Sequence, residues 1–278
     1  MRLLIAILHL IPGEILENIY YSKLGNILTS LYDLLTKREN LRVHRIFHDL
    51  LMEVDLSKPV ERAIPFEAYE PAITKKFLDI VKQGSIVFDV GAWIGYHTLL
   101  AARKAEKVVA IEPDPINCQR IKKNLDLNNF SNVTILNMAV GNRSSSGVLL
   151  EAPISPMNRI VQQGIGNAVR IEPLDDIIAE LKIHKIDLIM MDIQGYEYFA
   201  IQGLQKSLSN SIIRNLICEI HPRELKQNGV TDNDVIDILS KYRYEINKLK
   251  KTEFSDDSVY YIYAKPMPCN GTTNNTDI

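Results

Sequence analysis

From Pro71 onward, the 278-residue chain alternates short apolar strands with amphipathic helices. Its last two strands follow one another with no helix between them, and a strand runs through a glycine turn into a helix at residues 87–102. These three observations predict a Rossmann-like α/β domain. Its sheet should be mostly parallel and seven-stranded, with a C-terminal antiparallel hairpin and a helical N-terminal extension. The expected division is an extension or cap over residues 1–65, the α/β domain over 66–266 and a flexible tail over 267–278.

The opening run MRLLIAILHLIP is apolar. It is well short of the ~20 residues that a membrane span needs. With one basic residue and no clear small-residue cleavage site, it reads as a packed first helix or strand rather than a targeting segment. Ile15, Ile19, Leu24, Ile27, Leu28 and Leu31 recur at helical spacing. The basic stretch KRENLRVHRIFHDL follows, and residues up to about 60 read as helical and irregular, a cap or lid beside the main domain. Gly84 then stops the helix AITKKFLDIVKQG. The strands are SIVFDV, KVVAIE, NVTILNMAV, IDLIMMDI, IRNLICEI, YEINKLK and SVYYIYAK. The first five are apolar enough to be buried on both faces, with helices between them. The last two should pair antiparallel.

Residues 141–173 interrupt this rhythm. GVLLEA predicts an extra strand, and the rest, polar and without sharp periodicity, predicts a mobile loop of a length that is functional or disordered in compact domains. The tail PCNGTTNNTDI carries glycosylation-type triplets at Asn270 and Asn274, a pattern common by chance.

Composition narrows the function. A net charge of -2 gives no global basic field for nucleic acid or an anionic membrane. Cys118, Cys218 and Cys269 are far apart and lack CxxC spacing. They predict neither a zinc site nor a disulfide framework, and suit a reducing cytoplasm.

The strongest chemical signal is VFDVGAWIGYHTLLAA. Gly91 permits a tight turn after the strand, and Gly95 permits close approach to the helix start, with Ala92 between them. A dinucleotide enzyme would read GxGxxG here and receive a pyrophosphate. Asp89, two residues before the first glycine, would repel one. It suits a ligand carrying an ammonium group, such as the methionine part of S-adenosylmethionine. Glu112 ends the second strand about 20 residues further on, where a carboxylate accepts ribose hydroxyls, and Pro113 stops that strand. Asn137 and Met138 close the third strand and are the adenine-side candidates.

With these residues in hand, the chain resembles the FkbM family of methyltransferases from about Tyr69 to Leu249. The blocks that carry the resemblance are AYEPAITKKFLDIVKQGSIVFDVGAWIGYHTLLAA, VVAIEPDPINCQRIKKNLDLNN, NMAVGN, PLDDII, IDLIMMDIQGYEYFAIQG and ICEIHP. The resemblance implies a class I methyltransferase fold, S-adenosylmethionine as cofactor, and O-methylation of sugars or other small metabolites. Asp89, Gly91 and Gly95 match its cofactor loop, Glu112 its ribose acid, and Asp175 and Asp176 its Leu-Asp-Asp block. The family commonly reads Lys-Ile-Asp-Val-Glu-Gly-x-Glu after the fourth strand. Here Met191 is read in place of the lysine, and Gln194 stands for the first glutamate. Trp93 replaces a small polar residue of the cofactor loop.

Methyl transfer to an alcohol needs an aligned acceptor and a route for its proton. Asp192, Glu219 and His221 are the catalytic candidates, at the ends of the fourth and fifth strands, and Asp192 doubles as a cofactor contact. A divalent ion held by Asp192 and Glu219 is the alternative to a side-chain base; the sequence does not select it. Glu197 and His97 are alternatives near the same edge, and Tyr69 and Glu70 are expected to close over the cofactor. The expected partner is a small-molecule or carbohydrate acceptor, with no nucleic acid and no membrane span; a homodimer is left open. The competing readings are an RNA methyltransferase on this fold, a nicotinamide oxidoreductase and a non-catalytic cofactor-binding module.

Overall fold

The computed structural model describes residues 15, 18–20, 22, 25, 41–47, 49–150, 159–161 (backbone only), 166–249 and 259–268. The opening apolar run, most of the Ile15–Leu35 helix, Cys269 and the two glycosylation-type triplets lie outside them.

The first described strands correct the sequence reading. Leu41–Ile46 (β1) and Leu50–Asp55 (β2) form an antiparallel hairpin, with Ile46 opposite Leu50 and Leu41 opposite Asp55. Leu50, Met52 and Val54 are buried on one face. That period of two marks a strand, and the charged residues around it masked the signal. Pro59–Ala63 (α1), a 3₁₀ turn at Ile64–Phe66 and Pro71–Ile80 (α2) lead into the domain.

Next come Ile86–Val90 (β3), Tyr96–Ala102 (α3), Lys107–Ile111 (β4), Pro115–Leu127 (α4) and Val133–Leu136 (β5). The third apolar run is not one strand. It breaks after Leu136, and Ala139–Val140 (β6) joins a second sheet with Ser145–Leu150 (β7), Arg159–Val161 (β8) and Asn167–Glu172 (β9), in the order β6-β9-β7-β8. GVLLEA overlaps β7, as expected, and the stretch after it that was expected to be a loop contributes β8 and β9. Val148 and Leu149 alternate across a pairing whose partner, Asn167–Ala168, has no apolar run to announce it.

The chain continues through Leu174–Glu180 (α5), Leu188–Met191 (β10), Glu197–Gln202 (α6), Gln205–Ser209 (α7), Leu216–Ile220 (β11), Pro222–Gln227 (α8), Asp232–Lys241 (α9), Tyr244–Leu249 (β12) and Tyr260–Pro266 (β13). The helix expected after β10 is split at Gly203. A Cβ there would lie 2.2 Å from the Gly141 carbonyl oxygen, so only glycine lets the second sheet pack this closely.

The main sheet has the order β12-β13-β11-β10-β3-β4-β5. Its five central and outer strands are parallel, and β13 pairs antiparallel with both β11 and β12, as the missing helix predicted. Alternate residues feed two cores. Val87, Val108, Leu188 and Met190 meet Phe77, Leu99 and Ile121 on one face. Phe88, Val109, Ile189 and Met191 meet Leu174, Ile201 and Leu239 on the other. This is the Rossmann-like fold of class I methyltransferases. Among the described residues no helix is long and apolar enough to cross a membrane.

The hairpin is tied to α4 by polar contacts. The Leu51 and Glu53 amides donate to Asn128 Oδ1 and Asn124 Oδ1, both at 2.8 Å, so edge donors of β2 are satisfied by side chains. Arg120 donates to Glu61 Oε1 at 2.8 Å and to Oε2 at 2.6 Å, and Glu61 is fully buried. Removing one partner of such a pair strands the other charge. Arg120→Ala should lower unfolding free energy by about 3 kcal/mol in urea titrations. The expectation sits low in the range because Lys58 Nζ remains 3.3 Å from Glu61.

Candidate active site

The order of the main sheet reverses between β3 and β10: the chain runs outward through β4 and β5, then returns to the other side of β3. The loops leaving β3 and β10 diverge at that point and open a crevice at the carboxyl edge, where open α/β sheets bind ligands. A cleft of about 930 Å³, open to solvent, lies there.

The β3–α3 loop forms its floor. Gly91 and Gly95 have φ of 83° and 90°, the left-handed region that glycine adopts freely. A Cβ on Gly91 would stand 1.9 Å from the Asp192 carbonyl oxygen, so the close approach of the two loops requires glycine at this position. The Gly91 and Ala92 amides both donate to the Ile111 carbonyl, at 2.9 and 3.1 Å. Trp93 is left-handed at φ 49°, and its amide donates to Glu112 Oε2 at 2.8 Å. Glu112 also accepts from the Asp114 amide at 3.0 Å and the Asn117 side chain at 3.2 Å. A carboxylate has about four acceptor sites, so room remains for a ligand hydroxyl. Burial pushes Glu112 up to about 7 against these bonds. Asp89, buried beneath the loop, accepts from Thr98 Oγ1, and burial pushes it up to about 6.

Four carboxyl-bearing residues line the cleft: Glu70, Asp89, Glu112 and Asp192. Aromatic rings cover it. Tyr69 packs edge-on against Tyr96 at 5.0 Å and lies 5.9 Å from Trp93. Tyr261, from β13, donates its hydroxyl to Glu70 Oε1 at 2.7 Å. His97 lies 5.0 Å from both Phe77 and Tyr96, and burial lowers it to about 4, so it is neutral at pH 7.

Behind Asp192 lies a compact acid–histidine cluster. His221, the N-cap of α8, receives carboxylates from three directions. Its Nδ1 is 2.8 Å from Glu197 Oε1, and its Nε2 is 3.7 Å from both Asp192 Oδ1 and Glu219 Oε2. Burial opposes a charge on His221, but the three carboxylates outweigh it and raise the imidazole to about 10. Burial and the neighbouring Glu219 push Asp192 well above the usual carboxylate range, while His221 pulls it down. Gln194 Nε2 donates to Asp192 Oδ1 at 2.8 Å.

Asp89, Gly91, Ala92, Glu112, Pro113, Met138 and Asp192 line the cleft together. Gly95, Asn137, Glu219 and His221 stand outside its lining. Gly95 instead caps α3 against Ile121. Asn137 turns its amide to the Glu112 and Pro113 carbonyls at 3.0 and 2.9 Å and braces that loop. Asp175 caps α7 by accepting from the Lys206 and Ser207 amides. Counted back two residues from Asp192, the lysine of the family pattern falls on Met190 rather than Met191. Met190 lines the cleft and Met191 is in the opposite core. Sequence reading missed Tyr96, Tyr196 and Tyr261, which carry no local pattern that separates a cleft aromatic from a core one.

The donor set suits S-adenosylmethionine: an acid for an ammonium group, an acid at the second strand end for ribose, and apolar Ile111, Met138 and Val140 for a purine. Fold and site define an S-adenosylmethionine-dependent methyltransferase. The sequence model of the FkbM methyltransferase domain matches residues 89–246, more than half of the chain, and the chain belongs to that family. The chain is 27% identical over 190 residues to hexuronic acid methyltransferase AglP of Haloferax volcanii, covering 66% of this chain and 74% of that protein. It is 29% identical over 107 residues to protein MJ1452 of Methanocaldococcus jannaschii, covering 34% of this chain and 41% of that one. A crystal structure of an FkbM methyltransferase from Methylobacillus flagellatus aligns at 21% identity and a TM-score of 0.49, over 74% of this chain and 52% of that one.

The raised carboxyl of Glu112 links stability to pH. A folded pKa of about 7 lies above the unfolded value of 4.5, so the stability it contributes is present below pH 4.5 and lost as pH rises through 7. Measured by denaturant unfolding without ligand, the wild type should lose about 3 kcal/mol relative to Glu112→Gln between pH 4.5 and pH 8.

Proposed function

We propose that this enzyme transfers a methyl group to a hydroxyl of a sugar, a glycan precursor or another small metabolite. The observation that carries the reading is the position of Asp192: it ends β10 in the cleft, its backbone against the Gly91 loop and its side chain open to solvent by about a fifth. The similarity to a protein named as a hexuronic acid methyltransferase supports a carbohydrate acceptor. So does the cleft itself, since aromatic rings pack on the C–H faces of a pyranose while carboxylates accept its hydroxyls. In this reading residues 66–266 are the methyltransferase domain, 1–65 an extension and 267–278 a tail.

Bound S-adenosylmethionine supplies a methyl group on a positively charged sulfur. Asp89 holds the cofactor's ammonium end, Glu112 accepts from its ribose hydroxyls, and Met138 packs beside its base. Gly91 and Ala92 leave the backbone exposed for close approach. Asp192 accepts the proton of the acceptor hydroxyl; a carboxylate with a raised pKa is a stronger base than a free one. His221 and Glu219 stand behind Asp192 and hold its orientation and charge. Tyr69, Trp93 and Tyr261 restrict water at the transfer point.

Calorimetry with S-adenosylhomocysteine and methyl-transfer assays on sugar nucleotides test this reading. Asp89→Ala should abolish measurable binding. Asp192→Asn should keep binding within about threefold and lower turnover by roughly 10²–10⁴. Absence of binding to the wild type would overturn the cofactor assignment. Turnover that survives Asp192→Asn would remove Asp192 as the base.

A further inference from the structure

We propose that Asp192, Glu219 and His221 form a seat for one divalent cation on the acceptor side of the cleft. One donor atom from each residue lies within 4.8 Å of the other two. An ion about 2.1 Å from each donor sets the donors roughly 3.0–3.4 Å apart. His221 Nε2 is 3.7 Å from both carboxylate oxygens, so a contraction of a few tenths of an ångström would bring each of those two pairs to that spacing.

The histidine supplies the second, independent observation. Its side chain is 6% exposed, and Nε2 stands 3.7 Å from an oxygen of each of two carboxylates, longer than a hydrogen bond to either. Yet it points between two carboxylates. Its other nitrogen is fixed by Glu197, whose Oε1 lies 2.8 Å from Nδ1 and also accepts the Gly195 amide at 2.8 Å. A carboxylate on the far nitrogen of an imidazole is the arrangement that orients metal-ligating histidines. Glu197 is itself fully buried, so this orientation is set by the core rather than by solvent.

Charge leads to the same conclusion. Asp192 lines a cleft to which the described residues bring no lysine or arginine, and Glu219 stands behind it on the other side of His221 Nε2. Two oxygens and one nitrogen suit Mn²⁺, Fe²⁺ or Zn²⁺. Three protein ligands leave positions open, and Asp192 opens to the cleft, where adjacent acceptor hydroxyls would complete the coordination. The ion's use rests on the methyltransferase reading; the seat does not.

The test uses the full chain, stripped with chelator and titrated with Mn²⁺. Free ion is followed by electron paramagnetic resonance, and S-adenosylhomocysteine binding is measured on the same samples. One Mn²⁺ per chain is expected. Glu219→Gln and His221→Ala should each weaken it at least tenfold, and Glu197→Gln by roughly 10- to 100-fold. All three variants should keep S-adenosylhomocysteine affinity, which shows that they are folded. No Mn²⁺ binding by the wild type at millimolar ion, or binding that Glu219→Gln and His221→Ala leave unchanged, would overturn the site and leave a protonated His221 as the counter-charge. Loss of S-adenosylhomocysteine binding by the wild type would instead sink the cofactor assignment and leave the ion result standing.

Discussion

The pairing of β3 with β10 positions nearly everything at the carboxyl edge. The two strands run parallel from Leu188 against Val87 to Met191 against Val90, and the Asp192 amide then donates to the Val90 carbonyl at 3.0 Å. Beyond that bond the chains part, one into the Gly91 loop and the other into Ile193–Gly195. Because the Asp192 carbonyl occupies the space where a Gly91 side chain would sit, the glycine loop and Asp192 are held in a fixed relation. Parallel strands at a reversal of sheet order create the crevice. The glycine contact sets its floor.

Around that floor the protein gathers acidic groups out of water. Asp89, Glu112, Glu197 and Glu219 are all buried, and Asp192 is largely so. Burial of ionised carboxyls is unfavourable unless they are paired or hydrogen-bonded. Each has a different solution. Asp89 has the Thr98 hydroxyl, Glu112 has two amides and Asn117, and Glu197 has His221 and the Gly195 amide. Asp192 and Glu219 share His221 at longer range. A site that raises carboxyl pKa values in this way is arranged to receive positive charge, whether an ammonium, a sulfonium or a metal ion.

Much of the cofactor half was legible because its signals are local. An acid two residues before a glycine turn, and another closing the next apolar run, fall at strand ends whatever the packing. Asp89, Gly91, Glu112 and Asp192 were readable on that basis. The His221–Glu197 pair was not: each residue had a plausible local role, as a cap before Pro222 or at the start of α6, and only the packing of α6 over β11 joins them. The second sheet was hidden for a related reason. β6 is two residues long and β9 offers only Val169 and Ile171 as an apolar alternation, while the close approach of the Gly141 carbonyl to Gly203 is a contact between distant residues.

By itself, then, the sequence determined the order of the main-sheet strands along the chain, the antiparallel ending and the acids that close the central strands, since hydrophobic period and turn chemistry are properties of neighbouring residues. Tertiary structure decided which of those acids face one cleft, which stand behind it, and which aromatic rings cover it. Tyr261 reaches Glu70 across 191 residues of chain, and a contact of that kind follows from the register of β13 on β11 rather than from any local pattern.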